Sequence, residues 1–148
     1  MDFYGFYTGK EFEAYRFLGA HACERGTVFR TFAPNAQRIS LIGEFNGWQE
    51  TPMQKVHDGN FWECYVENAG KGMMYKYKIY GADGSCIDHC DPYGFYSELR
   101  PNNASIIYDT TDYHFTDSEW MKKRSVQKDA PLNIYEIHFG SWRKKDDK

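Results

Sequence analysis

A chain of 148 residues is long enough for one domain with a core, and a net charge of -3 with 26% charged residues does not demand a nucleic-acid or acidic-membrane partner. Aromatic residues are in surplus: 12 Tyr, 11 Phe and 4 Trp make up 18% of the chain. A β-rich core uses part of them, and rings left over on turns and edges suit a ligand with flat apolar faces, such as a sugar ring.

The start, MDFYGFYTGKEFEAY, has neither a basic n-region nor an apolar run, so a signal peptide is not expected, and no stretch is long enough to span a bilayer. Cys23, Cys64, Cys86 and Cys90 therefore read as free thiols of a cytoplasmic protein. The CIDHC stretch, Cys86 to Cys90, is spaced more loosely than a zinc ligand set, so neither a metal nor another cofactor is expected.

Lys10 to Arg16 is expected to make one or two helical turns. Strand-like runs follow, separated by turn chemistry. They are TVFRTF (Thr27 to Phe32), RISLIGEF (Arg38 to Phe45), FWECYV (Phe61 to Val66), MMYKYKIY (Met73 to Tyr80) and ASIIYD (Ala104 to Asp109). Asn46-Gly47, Asp58-Gly59-Asn60, Asp83-Gly84 and Pro101-Asn102-Asn103 punctuate them. Short strands at such spacing predict an all-β sandwich. The clearest alternation puts Met73, Tyr75, Tyr77 and Ile79 on a core face and Met74, Lys76, Lys78 and Tyr80 on a half-polar outer face. Ile39, Leu41 and Phe45 likewise share a face. Thr116 to Arg124 predicts a short helix, with acids early and bases late to match the helix dipole. SVQKDAP reads as a linker, LNIYEIHFGSW (Leu132 to Trp142) as a new apolar strand, and RKKDDK as a charged end.

No phosphate loop and no nucleophile elbow is present, and turns and caps account for most of the acids. Ser97 or Ser105 with a distant His and Asp is weak ground for a triad, so no catalytic residue is assigned. A binding surface is better supported. In GEFNGWQETPM a Trp follows an Asn-Gly turn, and turns lie at the surface. The residues alone leave Trp48 open between core and display. Lys76, on an outward strand face, is placed to donate to hydroxyls. Trp62 is a weaker candidate, since alternation turns one of Phe61 and Trp62 inward without saying which.

Four segments, ERGTVFRTFAPNAQRISLIGEFNGW, MYKYKIYGADG, DPYGFYSELRPNNASIIYD and PLNIYEIHFGSWRKK, together resemble the amino-terminal region of 1,4-alpha-glucan (glycogen) branching enzymes. The likeness runs from about Gly19 to Trp142. The first two segments are shared with carbohydrate-binding modules of family 48, and DPYGFYSELRPNNAS resembles branching enzymes in particular. The resemblance implies an immunoglobulin-like β-sandwich with short peripheral helices, classed as a glucan-binding module. It implies the boundaries 1–18 for an extension with a short helix, 19–110 for the sandwich, 111–131 for a helix and linker, and 132–148 for the first strand of a catalytic barrel. The partners implied are α-1,4-glucan (glycogen, maltooligosaccharides) and the barrel of the full-length enzyme, which makes α-1,6 branches through paired carboxylates not found here.

The resemblance also carries Trp48 and Lys76 onto positions that contact sugar, with Asn102 near a polar loop used for hydroxyls. The second stacking Trp of sugar-binding members falls at about Ser85 or Cys86. The alternative is a structural domain that packs on the barrel and binds no sugar, which expects Trp48 to be largely buried.

Overall fold

The computed structural model describes residues 1–111, 113–124, 131 and 133–142, which fall into two units, Met1–Asp112 and Tyr113–Lys148. In the first unit the strands are β1 (Gly19–Cys23), β2 (Gly26–Phe32), β3 (Ala36–Gly43), β4 (Thr51–Pro52), β5 (Gln54–Val56), β6 (Phe61–Glu67), β7 (Met74–Gly81), β8 (Cys86–His89), β9 (Tyr96–Ser97) and β10 (Ser105–Ile106). One antiparallel sheet has the order β1-β2-β6-β5. The other runs β4-β3-β7-β10-β9, and β8 shares the far edge of β7 with β10.

Period-two patterning builds the core between them. Thr27, Phe29 and Thr31 of β2 face inward with Trp62 and Cys64 of β6. Ile39 and Leu41 of β3 face them with Tyr75 and Tyr77 of β7. The expected sandwich is therefore present, with its MMYKYKIY alternation as read. The sequence reading missed β1, β4, β5, β8 and β9. Two of these are two-residue pairings with too few positions to show alternation, and the others are short or polar.

The outer face of the first sheet is covered. Phe32 and Phe61, paired across β2 and β6, point away from the sandwich core, yet Phe61 is fully buried. The N-terminal segment lies over them. Its helix α1 (Phe3–Tyr7) brings Phe3 and Phe6 to 5.1 and 5.4 Å from the Phe61 ring, and Ala14, Leu18 and Phe17 close the cluster. Tyr7 pins this segment by donating its hydroxyl to Asp58 at 2.6 Å. The helix expected over Lys10 to Arg16 is thus only a 3-10 turn at Ala14–Arg16, and the α-helix forms earlier. Ring packing, rather than intrinsic helix propensity, decides where it starts.

In the second unit, α2 (Ser118–Lys123) matches the predicted helix, with Glu119 in its first turn and Lys122 and Lys123 in its last. The apolar strand expected over Leu132 to Trp142 is not formed among the described residues. Residues 133–138 have no regular structure, and Phe139–Trp142 is a helical turn, α3. A strand needs a neighbour for its backbone donors and acceptors, and the described residues supply none here. The linker at 125–130, the start of that strand at 132 and the charged end at 143–148 lie outside the described residues.

Candidate functional site

The Asn46-Gly47 turn is more than a hairpin connection. Glu44–Asn46 form a 3-10 turn, and Gly47 and Trp48 then both take the left-handed conformation, each at φ 62°. That conformation is free for Gly47 and costs roughly 1–2 kcal/mol for a residue with a Cβ such as Trp48. Asn46 holds the loop in place. Its Oδ1 accepts from the Gly43 amide at 3.0 Å, and its Nδ2 donates to the Leu41 carbonyl and to Thr51 Oγ1 at 3.2 and 3.0 Å. The Trp48 amide donates to the Gly43 carbonyl at 2.8 Å. Gly43 has no space for a side chain, since a Cβ there would come within 2.6 Å of the Met74 carbonyl. The result is a rigid loop that shows the Trp48 ring, 42% exposed, to solvent.

Strand register brings Lys76 to the same end of the sheet. Gly43 pairs with Tyr75, and Ile42 pairs with Lys76, so Lys76 is one position from the residue that anchors Trp48. Lys76 is half-buried on the outer face and makes no ion pair or hydrogen bond among the described residues. Its neighbour Lys78 is engaged, with Glu50 at 3.8 Å and Asp88 at 4.0 Å. Glu50 also accepts from the Tyr80 hydroxyl at 2.7 Å and faces Arg38 at 3.8 Å. The Tyr80 hydrogen bond, with the nearby Arg38 and Lys78 cations, holds the Glu50 carboxyl below its usual value. The same bond to Glu50, with desolvation second, pushes the Tyr80 phenol up to about 12. The outer face thus carries a committed polar network next to one uncommitted ammonium.

The other sequence candidates separate from this pair. Trp62 is 3% exposed in the sandwich core, with its indole N–H donated to the Ala33 carbonyl at 3.0 Å. It has no face to offer a ligand, because alternation turns it inward and Phe61 outward. Asn102 lies in the connection between β9 and β10, and its amide donates to Glu98 at 3.4 Å. β9 is the edge strand opposite β4, so four strand spacings, roughly 19 Å, lie between the edge that carries the Trp48 loop and the edge that carries Asn102. At the place of a second platform, Ser85 closes the Asp83-Gly84 turn by donating to Asp83 at 2.6 Å, and Cys86 is exposed. Tyr80 does not substitute for a second ring on the face that the Arg38 guanidinium covers at 3.8 Å.

One polar centre escaped the sequence reading. Asp91, 6% exposed, accepts from the hydroxyls of Tyr75 and Tyr77 at 2.7 and 3.0 Å and from the Tyr93 amide at 2.8 Å, while its own amide donates to Ser105 Oγ at 2.8 Å. Burial pushes the Asp91 carboxyl up, against the hydrogen bonds that pull it down. The signal was available, since two inward tyrosines on one strand require a buried acceptor. This ties DPYGFYS to the core as scaffold.

Comparison with known proteins identifies the family and the fold. The model of carbohydrate-binding module 48 (isoamylase N-terminal domain) matches residues 17–94, more than half of the chain. The chain belongs to the carbohydrate-binding module 48 family. Within this family it is 42% identical over 155 residues to the 1,4-alpha-glucan branching enzyme GlgB of Bacillus caldolyticus, a match covering 99% of the chain and 23% of that protein. It is 43% identical over 158 residues to the same enzyme of Francisella tularensis subsp. novicida, covering 100% of the chain and 25% of the relative. The module thus spans about a quarter of the length of these relatives. Its fold is shared with PulA of Klebsiella pneumoniae, solved with maltotriose, at TM-score 0.52 and 24% identity over 62% of the chain and 11% of PulA. It is shared equally with the pullulanase of Bacillus acidopullulyticus, at TM-score 0.51 and 24% identity over 62% of the chain and 12% of the pullulanase.

Proposed function

We propose that this module captures α-1,4-glucan for a branching enzyme of which it forms the N-terminal part, acting in the cytoplasm in glycogen synthesis. The observation that carries the reading is the Trp48 ring, displayed by a left-handed backbone at the end of the sheet where Lys76 has no partner among the described residues. A glucose ring has an axial C–H face that an indole covers, and hydroxyls that an ammonium donates to. Holding a chain end here raises its effective concentration at a linked catalytic domain, which the relatives' greater length supports. A purely architectural role would have favoured a buried Trp48, and 42% exposure weighs against it. One stacking ring instead of two points to weak capture, with a dissociation constant on the order of 1 mM or about −4 kcal/mol.

The test is a titration of the 148-residue chain with maltoheptaose, followed by backbone amide shifts. Saturable shifts at Gly47, Trp48, Gln49 and Lys76 are expected, and Trp48→Ala is expected to weaken binding by about tenfold or more. An unchanged affinity in Trp48→Ala overturns the proposal.

A further inference from the structure

A cleft of about 300 Å³ opens beside β1, lined by residues of the N-terminal 3-10 turn, of β1 itself and of the segment after β10. That is the lower end of the size range of small-ligand clefts. Tyr15 and Phe95, 43% and 37% exposed, stand over it, and Ala20 forms a buried apolar floor. The Arg16 guanidinium lies 5.9 Å from the Tyr15 ring centre, at the limit of a cation–π contact, and leaves most of the ring open.

The polar groups of the cleft suit hydroxyls. His21 Nε2 lies 2.9 Å from the Leu18 carbonyl, which only accepts, so Nε2 carries the proton. In the neutral ring this leaves Nδ1 as an acceptor. The ring is also held edge-on to Phe95, with centroids 6.1 Å apart. Across the cleft, Asp109 Oδ1 takes the Thr111 amide and hydroxyl at 2.8 and 2.7 Å, which leaves Oδ2 to accept from a ligand. The one guanidinium in the lining, Arg16, is already paired with Glu13 at 2.9 Å. Lys71, 5.3 Å from the Tyr108 ring centre, offsets the Asp109 carboxylate, so the charges of the cleft are balanced, give no preference for an anion, and leave a neutral polyol as the ligand class that fits.

Topology separates this cleft from Trp48. The chain passes from β4 of one sheet into β5 of the other through Met53, so those two edges lie on one side of the sandwich. β1 and β9 are the opposite edges. We propose that the cleft beside β1 is a second and independent binding groove for an α-1,4-glucan segment, stacked on Tyr15 and Phe95 and read by His21 and Asp109. The ligand class rests on the α-glucan reading above, and the location does not. Two sites on opposite edges would let the module bridge two branches of one polymer or hold one long chain twice.

Maltoheptaose titration of the 148-residue chain, read by amide shifts, separates the two sites. A second group of saturating shifts is expected at Ala20, His21, Ala22, Thr110 and Thr111, with its own midpoint. Tyr15→Ala is expected to move that midpoint by about tenfold and leave the Trp48 group within about twofold, and Trp48→Ala is expected to do the reverse. The amide spectrum of Tyr15→Ala checks that the fold is kept, and Phe95→Ala repeats the test with the second ring. Trp48 shifts without any at the cleft overturn this proposal alone, and no shifts anywhere sink both. Cleft shifts that survive in both ring variants, or that cellohexaose reproduces at the same concentration, also overturn it.

Discussion

The outer faces of the two sheets begin from the same pattern and end as opposites. Both arise from strict alternation, and both place aromatic residues away from the sandwich core. On β2 and β6 those residues are Phe32 and Phe61, and the N-terminal segment roofs them with Phe3, Phe6 and Phe17 into a second dry core. On β3 and β7 the outer positions are Arg38, Ser40, Lys76, Lys78 and Tyr80, with Ile42 and Met74 at one end, and a polar network around Glu50 spans the rest and leaves Lys76 uncommitted among the described residues. The difference shows where the aromatic surplus goes. Much of it is structural, stacked under a segment of fewer than twenty residues. Trp48, by contrast, is held out to solvent by a left-handed backbone.

The comparison breaks most severely at Phe61. Phe61→Ala removes the ring on which the N-terminal segment packs and is expected to cost about 3–5 kcal/mol in urea unfolding. A loss below about 1 kcal/mol would mean that the roof is energetically idle and the two faces are less different than they look. On the open face, Lys76→Met is expected to leave stability within about 0.5 kcal/mol, because no group among the described residues pairs with the ammonium. It is expected to weaken maltoheptaose binding by about tenfold or more, the worth of one hydrogen bond to a charged group at about 1.5 kcal/mol or above. The informative result is the split, with binding lost on one face at no cost in folding.

The smallest effect is in pH. Hydrogen bonds hold the Glu50 and Asp58 carboxyls low, from Tyr80 and from Tyr7 respectively. Their contribution to stability is present above the unfolded carboxylate range, roughly pH 4–4.5, and is lost as pH falls through the lowered folded values. Buried Asp91 has the opposite sign, because its folded value is raised. Its contribution is present below the unfolded value and is lost as pH rises through the folded one. Asp91→Asn is therefore expected to steepen acid destabilisation, and Glu50→Gln to flatten it, in unfolding curves taken from pH 3 to 7.

Long strands were legible because a half-buried face repeats every second residue, and β2, β3, β6 and β7 each offer at least seven positions to show it. The short edge pairings were not, since two residues carry no period. The α1 helix was hidden for a different reason, because FYGFY has no amphipathic repeat and is held by rings distant in sequence. At the site, the Asn-Gly turn located the Trp48 loop, but the left-handed φ of Trp48 itself depends on the Asn46 bonds to Leu41 and Thr51. Neither the burial of Trp62 nor the separation of Asn102 from Trp48 follows from spacing. The first is a choice between two faces, and the second is set by strand order.

What the sequence determined alone was the class of fold, the family and the position of the turn that carries Trp48, because period and turn chemistry are local. The tertiary structure decided which rings are dry and which are shown, which lysine has no carboxylate among the described residues, and which edges lie on opposite sides. Those are properties of packing between segments far apart in the chain, and no local pattern encodes them.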